Sequence, residues 1–198
     1  MAKIKWRGGA LLGPVPPVMV SCGDMEKSNI VTVAWTGILN TIPPKTYISL
    51  RPSRYSYEII KEKREFVINL TTAELVRAAD SCGVYTGRKV DKFAKYGLTK
   101  TDAFEVSAPV IGESPLSLEC KVTDVIPLGS HDMFIADVVA VNVEETLIDG
   151  TGKLHLERAG LAAFAHGDYF ELGKKIGNFG FSVRKKKSKA PQTSHKKK

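Results

Sequence analysis

The most regular pattern in the chain runs over residues 116–123. There Leu116, Leu118, Cys120 and Val122 alternate with Ser117, Glu119, Lys121 and Thr123. A period of two predicts a strand with one buried side and one solvent side. From Met133 to Val143 both sides of the same period are apolar, apart from Asp137 and Asn142. That predicts a strand covered twice, by a barrel interior on one side and by a cofactor or a partner subunit on the other. Gly129-Ser130-His131-Asp132 is the turn that joins the two as a hairpin. Upstream, Leu12 to Gly23 reads as a proline-led strand. Asn29 to Trp35, Thr46 to Leu50 and Phe66 to Leu70 are strands by their β-branched and aromatic content.

Helical signals are short and fall between the strands. Ser53 or Ser56 is placed to cap a helix over Tyr57–Lys63. Thr71-Thr72-Ala73-Glu74 fits a capping box, which opens a helix through Val76 and Ala79 that stops near Gly83. Asp91 and Gly97 bracket a third, brief helix. Strands interrupted by short helices, without regular βαβ alternation, predict a mostly antiparallel barrel rather than a Rossmann sheet.

Composition adds one feature. The 198 residues carry a formal charge of +8, but the segment 184–198 alone holds eight basic residues and no acidic one. Residues 1–183 hold 21 of each sign and are electroneutral. The expected organisation is one domain over 1–183 and a disordered polybasic tail over 184–198. Such a tail offers weak, non-specific contact with nucleic acid or another acidic partner. No apolar run is long enough for a membrane-spanning helix, and the charged N-terminus is not a secretory signal, so membrane insertion is not expected and a cytoplasmic location is. Cys22, Cys82 and Cys120 are scattered, which argues against a disulfide framework or a structural metal site. His155 and His166 have no metal-ligand spacing, so no metal is expected.

Hydrolytic, Walker and Rossmann signatures are missing. Two clusters at strand ends carry the candidate chemistry. Leu50-Arg51-Pro52-Ser53-Arg54-Tyr55-Ser56 places two guanidiniums and several hydroxyls between a strand and a helix N-terminus. That combination suits a phosphate, because free amides and Arg forks both address its oxygens. The same residues also suit an ordinary capped loop with solvated arginines. The second cluster runs from Asp80 to Phe93. Its glycines permit close backbone approach, and Ser81, Lys92 and the amides around Gly83 can complete an anion site. A plain helix–loop–helix connection explains it equally well.

Taken together, five pieces resemble the flavin-reductase-like, flavoredoxin-type family of FMN-binding split barrels. They are 29–37, 50–56, 66–70, Ser81-Cys82-Gly83 with Asp91-Lys92-Phe93, and the late hairpin 129–138. The order and spacing agree over most of residues 10–180, and the basic tail lies outside. The resemblance implies a mostly β fold, an antiparallel split barrel of Greek-key type with short flanking helices. It implies FMN against the barrel at a homodimer interface. Thr32, Ala34, Trp35 and Thr36 would meet the isoalloxazine ring, and Asn69 would meet it from the adjacent strand. Arg51, Ser53, Arg54, Tyr55 and Ser56 would hold the phosphate and ribityl chain. Ser81, Cys82, Gly83, Lys92 and Phe93 would close the phosphate end. Trp35 either stacks near the flavin or fills core. His131, on the hairpin over the flavin, either touches the ring or reductant, as the one catalytic candidate, or faces solvent. Tyr169 either reaches the flavin or packs a dimer.

The implied activity passes electrons from NADH or NADPH through FMN to a flavin, a metal chelate or a protein acceptor. One alternative is an FMN-bound electron carrier without efficient NAD(P)H activity. Another, from a different class, is a nucleic-acid-binding protein acting through the tail; a related barrel acting on a vitamin phosphate is a further enzyme alternative.

Overall fold

A computed structural model describes residues 1–183, and the expectations for the basic tail fall outside them. The elements run β1 (Val18–Gly23), β2 (Ser28–Val33), β3 (Thr36–Thr41), β4 (Pro44–Leu50), α1 (Tyr55–Lys63), β5 (Glu65–Leu70), α2 (Val76–Val84) and α3 (Lys92–Tyr96). They continue as β6 (Lys100–Thr101), β7 (Val110–Ile111), β8 (Leu116–Pro127), β9 (Asp132–Val143), β10 (Ala162–Ala165) and β11 (Asp168–Glu171).

Seven strands form one sheet in the order β2-β1-β5-β8-β9-β4-β3. Every neighbouring pair is antiparallel. The two edges, β2 and β3, are consecutive in the chain and separated only by Ala34 and Trp35. So short a link forces the sheet to curl until its edges lie close, and Ser49 N donates to Trp35 O at 2.9 Å, which carries the β3–β4 pairing into the link. The result is a barrel. Val20, Val31, Ile48, Phe66, Ile68 and Phe134 fill its interior, and Tyr57 and Ile60 of α1 plug one end. A second core lies outside the barrel wall, where Met19 and Ile30 pack on Ala79, Cys82 and Phe93 of α2 and α3.

Four local expectations are corrected. Neither serine caps α1: Arg54 is its N-cap residue and no side chain bonds there. Ser56 instead lies buried in the first turn and accepts from Asn29 Nδ2 at 2.7 Å. The capping box also does not form, and α2 starts later, after Leu75. Thr71 O and Ala73 N are already bonded to Ala162 N and Gly160 O, so tertiary pairing has taken backbone groups next to the expected cap. Helix α2 ends at Val84, near Gly83 as expected, but its cap residue is Tyr85 and not that glycine. A Cβ at Gly83 would sit 3.3 Å from Thr32 Cβ, so this glycine permits close helix–strand packing.

The remaining correction concerns β8, whose polar side is buried at Ser117 and Glu119. Residues 103–111 cover that side, and Glu119 accepts from Phe104 N at 2.9 Å, Glu105 N at 2.6 Å and Asn142 Nδ2 at 2.7 Å. In β9 the inward residues Phe134 and Ala136 are fully buried, whereas Val139 and Val141 remain 38% and 47% exposed. The expected second cover is therefore not supplied by the described residues of one chain. Helix α3 forms as expected: Asp91 accepts from Ala94 N at 3.1 Å, and Gly97 closes it with φ +64°.

Candidate functional site

Helices α1 and α2 meet over edge strand β2, and a pocket of about 190 Å³ opens between them. Its cations are placed by helix ends. The last carbonyls of a helix lack partners and carry the negative end of its dipole. In α2 two of these carbonyls are taken by side chains: Lys92 Nζ donates to Cys82 O at 2.7 Å, and Arg54 Nη1 donates to Gly83 O at 3.0 Å. Lys92 Nζ also donates to Ile30 O at 2.6 Å. Opposite them is the N-terminal turn of α1, which has no side-chain cap. Arg51 and Ser53 line the mouth, and no Asp or Glu lines the pocket.

Lys92 is the unusual group. It is only 3% exposed and has no carboxylate partner among the described residues. Lysine is rarely buried unless paired. Burial pushes its pKa down, the Cys82 thiol opposes that, and the Arg54 guanidinium adds to it. An ammonium has three donors, and only two are used by protein acceptors. The unused donor and the uncompensated charge border the pocket, where an anion satisfies both.

Burial also shifts neighbouring groups, each toward its neutral form. Burial raises the Cys82 thiol to about 11, against the pull of Lys92. Cys82 is therefore a neutral wall at physiological pH, not a thiolate nucleophile. Burial, then Arg51 and Arg54, holds His131 below the usual histidine value. The next residue, Asp132, accepts from Tyr57 OH at 2.6 Å and anchors the hairpin to α1. That bond, with burial, raises Tyr57 to about 12.

Of the residues singled out from sequence, Arg51, Ser53, Arg54, Tyr55, Ser56, Cys82 and Lys92 converge on this pocket. Others lie along the adjoining barrel seam. Thr32 Oγ1 donates to Ala79 O, Thr36 Oγ1 donates to Tyr47 O at 2.6 Å, and Ala34 and the half-exposed Trp35 form the bend between them. Ser81 and Gly83 sit on the last turns of α2, outside the pocket lining. Tyr169 is on β11 and donates to Asp80 at 3.2 Å.

Two expectations fail on burial. Asn69 is fully buried, donating to Met19 O and Ser21 Oγ at 3.0 Å each and accepting from Ile111 N at 2.9 Å and Ser117 Oγ at 2.8 Å. Its amide is spent on the wall between β1, β5 and β8, and no group is left for a ligand. Phe93 is core, packed with Met19 and Ile30.

Sequence reasoning did not assign Asn29, Val31, Tyr85, Thr86 and Gly87, which complete the wall. Gly87 carries the clearest physical signal: a Cβ there would lie 2.1 Å from Asn29 Oδ1 and 2.6 Å from Tyr55 Cδ1. Gly87→Ala is expected to push Asn29 off Ser56 and weaken anion binding about tenfold, the loss of roughly one hydrogen bond. Titration of the purified variant with FMN checks this, and unchanged affinity removes Gly87 from the wall.

The curled antiparallel barrel is shared with solved structures of flavin reductase-like proteins. Residues 13–172 match the family model described as "Flavin reductase like domain", and the chain belongs to that family. Among solved structures it is similar to the flavoredoxin of Desulfovibrio vulgaris (Miyazaki F), with TM-score 0.85, 31% identity, and coverage of 92% of this chain and 100% of that one. The flavoredoxin of Methanosarcina acetivorans matches with TM-score 0.82 and 25% identity, over 93% of this chain and all of that one. Among curated proteins, the FMN reductase (NADH) RutF of Acinetobacter baylyi is 29% identical over 135 residues, 68% of this chain and 69% of that one. No helix among the described residues is long and apolar enough to cross a membrane.

Proposed function

We propose that the chain binds FMN with its phosphate in the α1–α2 pocket and works as an oxidoreductase that draws electrons from NADH or NADPH. The observation that carries this is Lys92, a buried ammonium with a donor to spare and no carboxylate, facing a cationic pocket at an uncapped helix N-terminus. A bound flavin supplies the redox chemistry, accepting hydride and releasing electrons to a flavin, a metal chelate or a protein.

The chain's own residues bind and orient. Arg51, Arg54, Lys92, Ser53 and the first amides of α1 hold the phosphate. Tyr55 and Ser56 line the path of the ribityl chain. The outer edge of β2 is free of strand pairing, and Ile30 O already faces outward to Lys92. Backbone groups of alternate residues in a strand point the same way, so Thr32 shares that edge. Its amide, with Ala34, Trp35 and Thr36 beyond it, offers donors to the ring, which stabilise negative charge developing there. His131 positions the incoming reductant beside Arg51, Tyr169 borders the ring end, and Cys82 is a neutral contact.

The purified protein is expected to show oxidised-flavin absorbance that bleaches on anaerobic addition of NADH or NADPH. Bleaching by dithionite alone makes the protein an electron carrier. Absence of flavin, with no uptake of added FMN, removes the reading. A homodimer completes the proposal, because Val139 and Val141 on β9, with Ile38 and Leu39 on β3, leave apolar surface open. A solution mass of two chains is expected, and an FMN-loaded monomer contradicts it.

A further inference from the structure

A second cavity, of about 250 Å³, lies at the far end of the β2–β3 seam from the cationic pocket. Leu11, Leu12 and Val15 of the N-terminal arm form one wall, and Trp35, Phe164 and His166 form the other. The arm is held by backbone bonds, Val15 N to Phe164 O at 2.9 Å and Phe164 N to Val15 O at 2.8 Å. His166 and Gly167, at φ +52° and +101°, make the tight turn between β10 and β11 that closes the space. Two-residue hairpins demand such angles, so the turn is built by its hairpin and carries no separate strain argument.

The chemistry of this lining differs from that of the first pocket. No carboxylate, ammonium or guanidinium borders it, and His166 and the Trp35 indole N–H are its only side-chain hydrogen-bonding groups. Its size sets the ligand. An apolar cavity of about 150 Å³ accommodates benzene; this one is larger and open toward the arm, where Leu11 and Leu12 are 54% and 89% exposed, and it suits a single substituted ring. A dinucleotide or FMN is both larger and anionic, and riboflavin is larger. Val31 lines the phosphate pocket and Trp35 lines this cavity, four residues apart, which sets a separation of at most about 13 Å along the backbone.

We propose that this cavity binds an uncharged, single-ring aromatic or quinoid electron acceptor at the ring end of the flavin site. The proposal rests on the FMN reading for the acceptor's role but not for its binding, since every wall is protein. A para-quinone held there takes up two electrons and two protons to become the hydroquinone. The two electrons and one proton originate as hydride in NADH or NADPH and pass through FMN, and the second proton comes from water. Trp35 and Phe164 present aromatic faces to the ring, and His166 donates to a ring substituent.

Saturation-transfer NMR on the full chain, with and without FMN, tests this using nitrobenzene as the neutral probe and 4-nitrobenzoate as its charged counterpart. Saturable nitrobenzene binding is expected, with 4-nitrobenzoate at least about tenfold weaker, since an unpaired carboxylate resists burial. Leu12→Trp, which fills the cavity from the arm, is expected to weaken nitrobenzene at least tenfold while FMN content by absorbance stays unchanged. Equal binding of the two probes, or nitrobenzene binding untouched by Leu12→Trp, overturns the proposal. Loss of FMN binding in the wild-type chain with nitrobenzene binding intact overturns the cofactor reading and leaves the cavity assignment standing.

Discussion

The double variant Arg51→Ala/Lys92→Ala is expected to raise the FMN dissociation constant at least about 100-fold while the barrel still folds. Hydrogen bonds to a charged group contribute about 1.5–3 kcal/mol each. Two lost together amount to roughly 3–6 kcal/mol, and every 1.4 kcal/mol is about tenfold in affinity. The loss falls on the phosphate, so riboflavin, which lacks it, is expected to bind the variant about as it binds the wild type. The fold survives because Arg51 is exposed and Lys92 makes only two protein bonds. Removing Lys92 also removes a buried charge that lacked a counter-ion, which offsets the two carbonyls it leaves behind. Lys92 adds a pH dependence. Without an anion its pKa is depressed by burial, and a bound phosphate raises it again. Phosphate binding therefore takes up a proton, and FMN affinity weakens as pH rises through the depressed value. Lys92→Met abolishes that slope. Fluorescence titration with FMN and riboflavin across pH, alongside circular dichroism, reads all of these. Unchanged FMN affinity in the double variant sinks the phosphate assignment.

Sequence patterns carried the barrel because its strands are marked locally. Asn29 to Trp35 and Phe66 to Leu70 are strands by residue type alone, and α3 is bracketed by Asp91 and Gly97, whose cap chemistry is local too. Arg51, Arg54 and Lys92 were legible as residue types, but their convergence was not. It depends on α2 ending where its carbonyls reach both Lys92 and Arg54, and a serine cap on α1 would have masked the free turn. Gly87 and Asn29 fell within the motifs, but their contact was not legible because it arises between segments 58 residues apart. Asn69 was misassigned for the opposite reason. An amide in a strand looks available until Ser21, Ser117 and Ile111 are seen to use both its ends. Ser117 and Glu119 obeyed a clean alternation and still lie buried, because burial of a polar face depends on what the chain lays over it.

That covered face yields the largest expected effect on stability. Glu119 is fully buried, yet its carboxylate accepts only from two backbone amides of the 103–106 segment and from the Asn142 side chain, with no cation among them. Glu119→Ala removes the acceptor and leaves three partly buried donors unpaired. Each costs about 1–3 kcal/mol when neither protein nor water replaces the partner. Partial entry of water into the vacated space sets the expected loss at roughly 4 kcal/mol, or about 10 °C in Tm for a chain of this length. Glu119→Gln keeps one carbonyl but turns an amide NH2 toward a backbone N–H, so an intermediate loss is expected. Lys121, two residues along and exposed, is the control, and Lys121→Ala is expected to change stability by no more than about 0.5 kcal/mol. Because no residue of the 103–106 segment lines the cationic pocket, residual folded Glu119→Ala protein is expected to bind FMN normally. Urea denaturation with FMN titration separates the two effects. A stability loss under about 1 kcal/mol in Glu119→Ala would mean that the 103–106 segment is held by its apolar contacts, Ala103 and Val106 against Val67, rather than by the carboxylate.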